Sequence, residues 1–218
     1  MQISSAENLP EAEHEFKAGR PRSEESRRAI LDATRRLLTH MSVSKISIEA
    51  IAKKAGVGKT TIYRWWPNKQ SVVMEAVFNQ PGFQNFMPQA SIPFVGIQNQ
   101  VEKLVRQLTG KNGRIVAEII GECQGDVEIL KALVKNFFQD RYNSLAYYIQ
   151  KGKHDGQFKD DIDVEVAIDA ILGPIIFRLM SGQNLDEVFA KKLIEMLRGA
   201  LGVQSLQSRA AQASAGAA

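Results

Sequence analysis

Between residues 20 and 202 apolar side chains recur three and four positions apart almost without a break, and no segment alternates apolar with polar residues between hairpin turns. Helices are the elements that bury such stripes, so the sequence predicts an all-α protein of about nine helices. The flanks lack the pattern. Residues 1–19 mix Glu7, Glu11, Glu13 and Glu15 with few apolar positions, and residues 203–218 are small and polar; both are expected to be flexible tails. An internal stretch, PGFQNFMPQASIP at 81–93, holds three prolines and no period, and is expected to act as a joint between domains.

The first four helices have readable ends. Ser23 can cap the first, with Glu24 and Glu25 against the positive end of the dipole, and Ser47 can cap the second, where Ile46 and Ile51 form a hydrophobic staple. Gly56 is suited to the left-handed conformation that ends a helix, and Gly56-Val57-Gly58 then turns the chain into a short third helix expected over 59–66. Pro67 stops it, and Asn68 caps a fourth reaching residue 80 with Val72, Val73, Ala76 and Val77 inside. Further helices are expected over 95–108, 112–123 and 126–151, then one capped by Asp161 or Asp163 and ending at Met180, and a last one capped by Asn184 and Glu187.

Two short helices joined by a tight glycine turn fit a helix-turn-helix whose second helix lies in the DNA major groove. With Val57, Ile62 and Trp66 inward, Lys59, Thr60, Thr61, Tyr63 and Arg64 are left on faces that can meet DNA. Lys59 and Arg64 can donate to guanine edges or phosphates, the threonines offer hydroxyls and methyls, and the Tyr63 phenol suits a phosphate oxygen. Charge agrees. Residues 17–69 carry thirteen basic and four acidic side chains, a local charge of +9 in a chain of net charge +4. Arg20 and Arg22, in a Gly-Arg-Pro-Arg arm, suit an adjacent minor groove; the alternative is an unstructured basic leader that only raises nonspecific affinity.

The run from Arg20 to Phe78 resembles the DNA-binding domain of the tetracycline-repressor (TetR) family. The resemblance rests on Ser47-Ile48-Glu49-Ala50-Ile51-Ala52, the Ala55-Gly56-Val57 turn, Tyr63 followed by Trp66, and Asn68-Lys69 opening the fourth helix. It implies that Ser47, Lys59, Thr60, Thr61, Tyr63, Arg64, Trp65 and Lys69 line the DNA face and that Trp66 is core. Gly58 stands where such proteins often carry serine, at a position also expected to face DNA, and Trp65 is bulkier than usual there. The family layout implies a helix-turn-helix domain at 20–68, a ligand-binding and dimerisation domain at 69–202, a homodimer on double-stranded DNA with a palindromic operator, and release by a small-molecule effector. The alternative is a nonspecific or architectural DNA-binding protein, which leaves the large helical C-terminal region unexplained.

In that layout the last two helices pair with their copies in a second subunit. Ile168, Ile171, Leu172, Ile175 and Leu179, with Phe189, Leu193, Met196 and Leu197, are more apolar than one helix pair could bury and are the expected dimer interface; burial inside one chain is the alternative. For the ligand pocket the candidates are Phe78, Phe94, Cys123, Phe137, Phe138, Tyr142 and Phe177, with Arg106, Glu118, Glu122, Gln139 and Arg141 as polar handles. A lone cysteine beside an apolar face reads as core rather than redox sensor. His14, His40 and His154 have no paired metal-ligand spacing, and there is no nucleophile elbow or phosphate loop, so no enzyme, metal or cofactor is expected. The most apolar segment, 170–177, falls short of a membrane span, and with no secretion signal in view the expected location is cytoplasmic.

Overall fold

The computed structural model describes residues 23–80, 83, 90–123 and 125–203. Residues 1–19, 204–218 and most of the 81–93 joint lie outside these residues, as do Arg20 and Arg22. Among the described residues there is no strand. Ten α-helical segments are present: α1 (Glu24–Leu38), α2 (Ile48–Ala55), α3 (Lys59–Tyr63), α4 (Lys69–Phe78), α5 (Pro93–Leu108), α6 (Lys111–Cys123), α7 (Val127–Leu133), α8 (Gln139–His154), α9 (Val164–Met180) and α10 (Glu187–Ala200). A 3₁₀ turn at Val43–Lys45 precedes α2, and a π-helical segment at Val134–Phe138 joins α7 to α8 in one helical run.

Capping explains most of the boundaries. The Ser23 hydroxyl accepts from the Ser26 amide at 3.3 Å, Ser47 from Ala50 at 3.2 Å, and the Asn68 side chain from Ser71 at 2.8 Å. Asp163, the second of the two candidates, caps α9 by accepting from the Val166 amide at 3.0 Å. The last helix differs from expectation. Asp186, not Asn184, accepts from the Phe189 amide at 2.8 Å, so α10 begins two residues further on than an Asn184 cap would place it. Helix α3 is also shorter than its expected span. It stops at Tyr63 because Trp66, the residue before Pro67, is disfavoured from helical geometry, and residues 64–66 close as a hydrogen-bonded turn on Ile62.

Helices α1 to α4 enclose a small core of Ile30, Leu31, Leu38, Ile51, Ile62 and Trp66. Gly56, at φ +70°, makes the turn between α2 and α3 in the left-handed region that favours glycine. Helix α4 is buried well beyond its expected stripe, at Met74 and Phe78 as well, because it packs on α1 on one side and on α6 and α7 on the other. In the C-terminal part α5 is central, touching α6, α8, α9 and α10. It meets α8 closely at Gly96, where a Cβ would fall within the Tyr148 ring.

The expected dimer stripe is corrected by burial. Ile168, Ile171, Ile175, Leu179, Leu193 and Leu197 are buried inside the chain, while Leu172 and Phe189 are partly buried against the same core. Met196 alone of the nine is exposed. Both faces of α9 are apolar, and the expected stripe is its inward one. The outward face carries Val166, Ala170, Gly173, Phe177 and Met180, and on α10 Val188 and Met196 are exposed as well.

Candidate nucleic-acid interface

Helix α3 is pinned by Ile62, fully buried, and by Trp66 just beyond it, whose indole N–H donates to Glu75 on α4 at 2.6 Å. Arg27 of α1 ion-pairs with the same carboxylate, so Glu75 binds α1, the turn after α3 and α4 together. With that side fixed, the opposite side of α3 presents Lys59, Thr60 and Tyr63, the last 53% exposed, with Arg64 exposed just after it and Thr61 half-buried. Ser47 and Gly58 are exposed at the starts of α2 and α3. At Gly58 no side chain caps α3.

The Lys59 ammonium lies 3.1 Å from Glu49 on α2. The Glu49 carboxyl is held below the usual carboxylate range by a backbone N–H of its own residue first and by Lys59 second. Both groups are largely exposed, so the pair holds the lysine loosely and leaves it able to exchange partners.

Two residues expected on the DNA face are engaged elsewhere. Trp65 is half-buried against the core, with the Arg27 guanidinium 5.5 Å from its ring centre and Trp66 beside it. Lys69 turns away from solvent: its ammonium donates to the Val43 carbonyl at 3.0 Å and pairs with Glu122 of α6 at 3.0 Å. One turn earlier on α6, Glu118 accepts from the Val43 amide at 2.6 Å. The two carboxylates, four residues apart on one face of α6, grip the backbone N–H and C=O of one residue, Val43, directly and through Lys69. The sequence offered Glu118 and Glu122 only as ligand handles. Their four-residue spacing was visible; their partners 75 and 53 residues upstream were not.

The proposed pocket aromatics do not converge on one cavity. Phe78 stacks on Phe137 at 4.5 Å, and Phe138 meets Phe137 edge-on at 4.7 Å. Phe94 instead lies with Phe158 under the Arg198 guanidinium, and Phe177 is 65% exposed on the outer face of α9. Tyr142 is half-buried, its phenol pushed up by burial and by Glu165 and Asp169. Cys123 is fully buried at the end of α6, its thiol pushed up by burial and then by Glu122 and Asp126. Between the two halves a cleft of about 270 Å³ is lined by Trp65, Trp66, Met74, Phe78 and Ala132, among others. No helix among the described residues is long and apolar enough to cross a membrane.

Comparison with known proteins places both halves. Residues 30–85 match the model of bacterial regulatory proteins of the tetR family, and residues 97–197 match the tetracyclin repressor-like C-terminal domain. The chain is 32% identical over 179 residues to YdeS, an HTH-type transcriptional regulator of Bacillus subtilis, covering 82% of this chain and 90% of that one. Among solved structures, the TetR family transcription regulator SCO0332 is 27% identical with a TM-score of 0.64, over 80% of this chain and 98% of the other. NalD of Pseudomonas aeruginosa shares the fold at a TM-score of 0.62 and 24% identity, over 84% of this chain and 98% of its own. These are transcriptional regulators and not enzymes, and the chain belongs to the TetR family of helix-turn-helix regulators.

Proposed function

We propose that the protein is a repressor that binds a palindromic operator as a homodimer and is released by a small molecule. One observation carries this reading: a polar, exposed face on α3 coexists with exposed apolar residues on the last two helices, Val166, Phe177 and Met180 on α9 and Val188 and Met196 on α10. An exposed apolar stripe of that kind calls for a partner, and a second copy related by a twofold axis covers it with itself. Two α3 helices then read major grooves about 34–36 Å apart, and twofold symmetry in the protein demands it in the operator.

In this reading Thr60, Thr61, Arg64 and Lys59 approach base edges, while Tyr63 and Ser47 hold phosphates. Control by a ligand needs a path from the C-terminal domain to α3, and the grip of Glu118 and Glu122 on Val43 and Lys69 supplies a contiguous one. A ligand that binds better when α6 has shifted weakens DNA affinity, and DNA weakens ligand binding by the same factor, typically about 1 to 3 kcal/mol. NalD is described as a repressor of an efflux pump; repression is carried over here as part of the proposal.

The test is the stoichiometry of the protein on a duplex selected from a random pool, measured by analytical ultracentrifugation. Two chains per duplex on a site with inverted half-sites are expected. A single chain bound as tightly to one half-site would overturn the dimeric reading.

A further inference from the structure

Arg141 on α8 is the one arginine that the C-terminal core encloses among the described residues, at 4% exposure. Its guanidinium donates to the Phe137 carbonyl at 2.6 Å and to the Gln107 side-chain oxygen on α5, and lies 4.3 Å from the centre of the Phe137 ring. All of these are neutral partners. Among the described residues no carboxylate forms an ion pair with it. Buried charges are normally paired, and a methionine would fill the same volume without the cost of desolvating a cation.

The surroundings point to what the charge is for. Arg141 borders a small space with Val101 and Leu104 of α5, Leu145 of α8, and Ile171 and Ile175 of α9. That wall is apolar apart from the arginine and Gln100. Lys103, half-buried on α5 near Arg141, adds a second positive charge. Burial lowers the Arg141 pKa to about 10, against the opposing influence of the exposed Asp140, and Lys103 is lowered by burial and by Arg141. The π-helical segment ends only three residues before Arg141, and such interruptions recur at functional sites.

We propose that Arg141, with Gln107 beside it, receives the carboxylate head of an effector whose apolar body inserts among α5, α8 and α9. This rests on the ligand-controlled reading above. A planar guanidinium suits a carboxylate through two parallel N–H donors. That space is only about 10 Å³, so the body has to part α5 from α8 and α9 as it enters. Parting them moves α9, which carries the outward apolar face, and α5, which packs on α6 with its grip on Val43 and Lys69. The anion thereby exchanges a buried unpaired cation for a paired one, which favours the spread state.

The full chain, without DNA, is titrated with decanoate and 4-phenylbutyrate and with the matching neutral primary amides, by calorimetry and thermal unfolding. At least one carboxylate is expected to bind saturably and raise the Tm, with its amide about tenfold weaker or more. Arg141→Met is expected to fold with an unchanged or higher Tm and to lose the preference for the acid, whereas Arg141→Lys keeps part of it. Lys103→Gln, at a half-buried position, is expected to weaken the acid several-fold and leave the amide unaffected. The inference is overturned if neither acid binds, if acid and amide bind equally well to the wild type, or if Arg141→Met lowers the Tm by many degrees, which would make the arginine a structural pin. Operator binding is not read in this experiment, so its failure leaves the DNA-binding reading standing, and the failure of operator control leaves this result intact.

Discussion

Helices α3 and α9 each have an inner and an outer face, and they differ in how sharply the two are distinguished. In α3 a single buried residue, Ile62, faces polar and basic neighbours, so one register buries the helix. In α9 the inward stripe of Ile168, Ile171, Ile175 and Leu179 is matched by an outward stripe of Val166, Ala170, Gly173, Phe177 and Met180, at the same three- and four-residue spacing. Periodicity identifies α9 as a helix and is silent about which stripe belongs to its own subunit. A helix with one apolar side contrasts with its surroundings; a helix that is apolar on both sides does not.

The contrast can be broken most forcefully at two neighbouring positions of α9. Ile175→Ala, inside the subunit, is expected to cost about 2–5 kcal/mol of stability by opening a cavity, measured by chemical denaturation. Phe177→Asp, two residues on and outward, is expected to leave the subunit folded by circular dichroism but to sediment as a monomer. Equal effects at both sites would erase the distinction between the faces. On α3 the expected effect is smaller and specific: replacing Arg64 by alanine reduces discrimination at one or two operator positions by about 1–3 kcal/mol, read by competition between duplexes. Smaller again is Glu122→Gln, which weakens the tie to Lys69 and is expected to cost about 1 kcal/mol in thermal unfolding. The least change is expected at Cys123. Its buried, protonated thiol is expected to resist dithiobisnitrobenzoate in the folded protein and to react once the chain is unfolded; prompt reaction of the native protein would place it at an accessible surface.

Legibility followed the physics of each signal. The caps at Ser23, Ser47 and Asn68 and the left-handed turn at Gly56 are local, decided within three or four residues, and they were readable. The α10 cap was missed because Asn184 and Asp186 are both competent and only packing chooses between them. Lys69 was read as a DNA contact because its position at the start of α4 is local, whereas Val43 and Glu122, its partners, come from distant segments. Helical spacing likewise cannot tell Phe94, held under Arg198, from Phe137, stacked on Phe78. Arg141 stood in the sequence as one handle among several, and only its burial without an ion-pair partner among the described residues set it apart.

Everything proposed for DNA binding turns on whether α3 reads sequence rather than merely adhering to a polyanion. The most direct measurement is binding of the wild type, Tyr63→Ala and Arg64→Ala to a fluorescent duplex library at two salt concentrations. A palindromic site selected by the wild type is expected, with weaker binding in both variants and a relaxed preference confined to Arg64→Ala. Binding with no sequence preference, lost uniformly with salt in all three proteins, would contradict it.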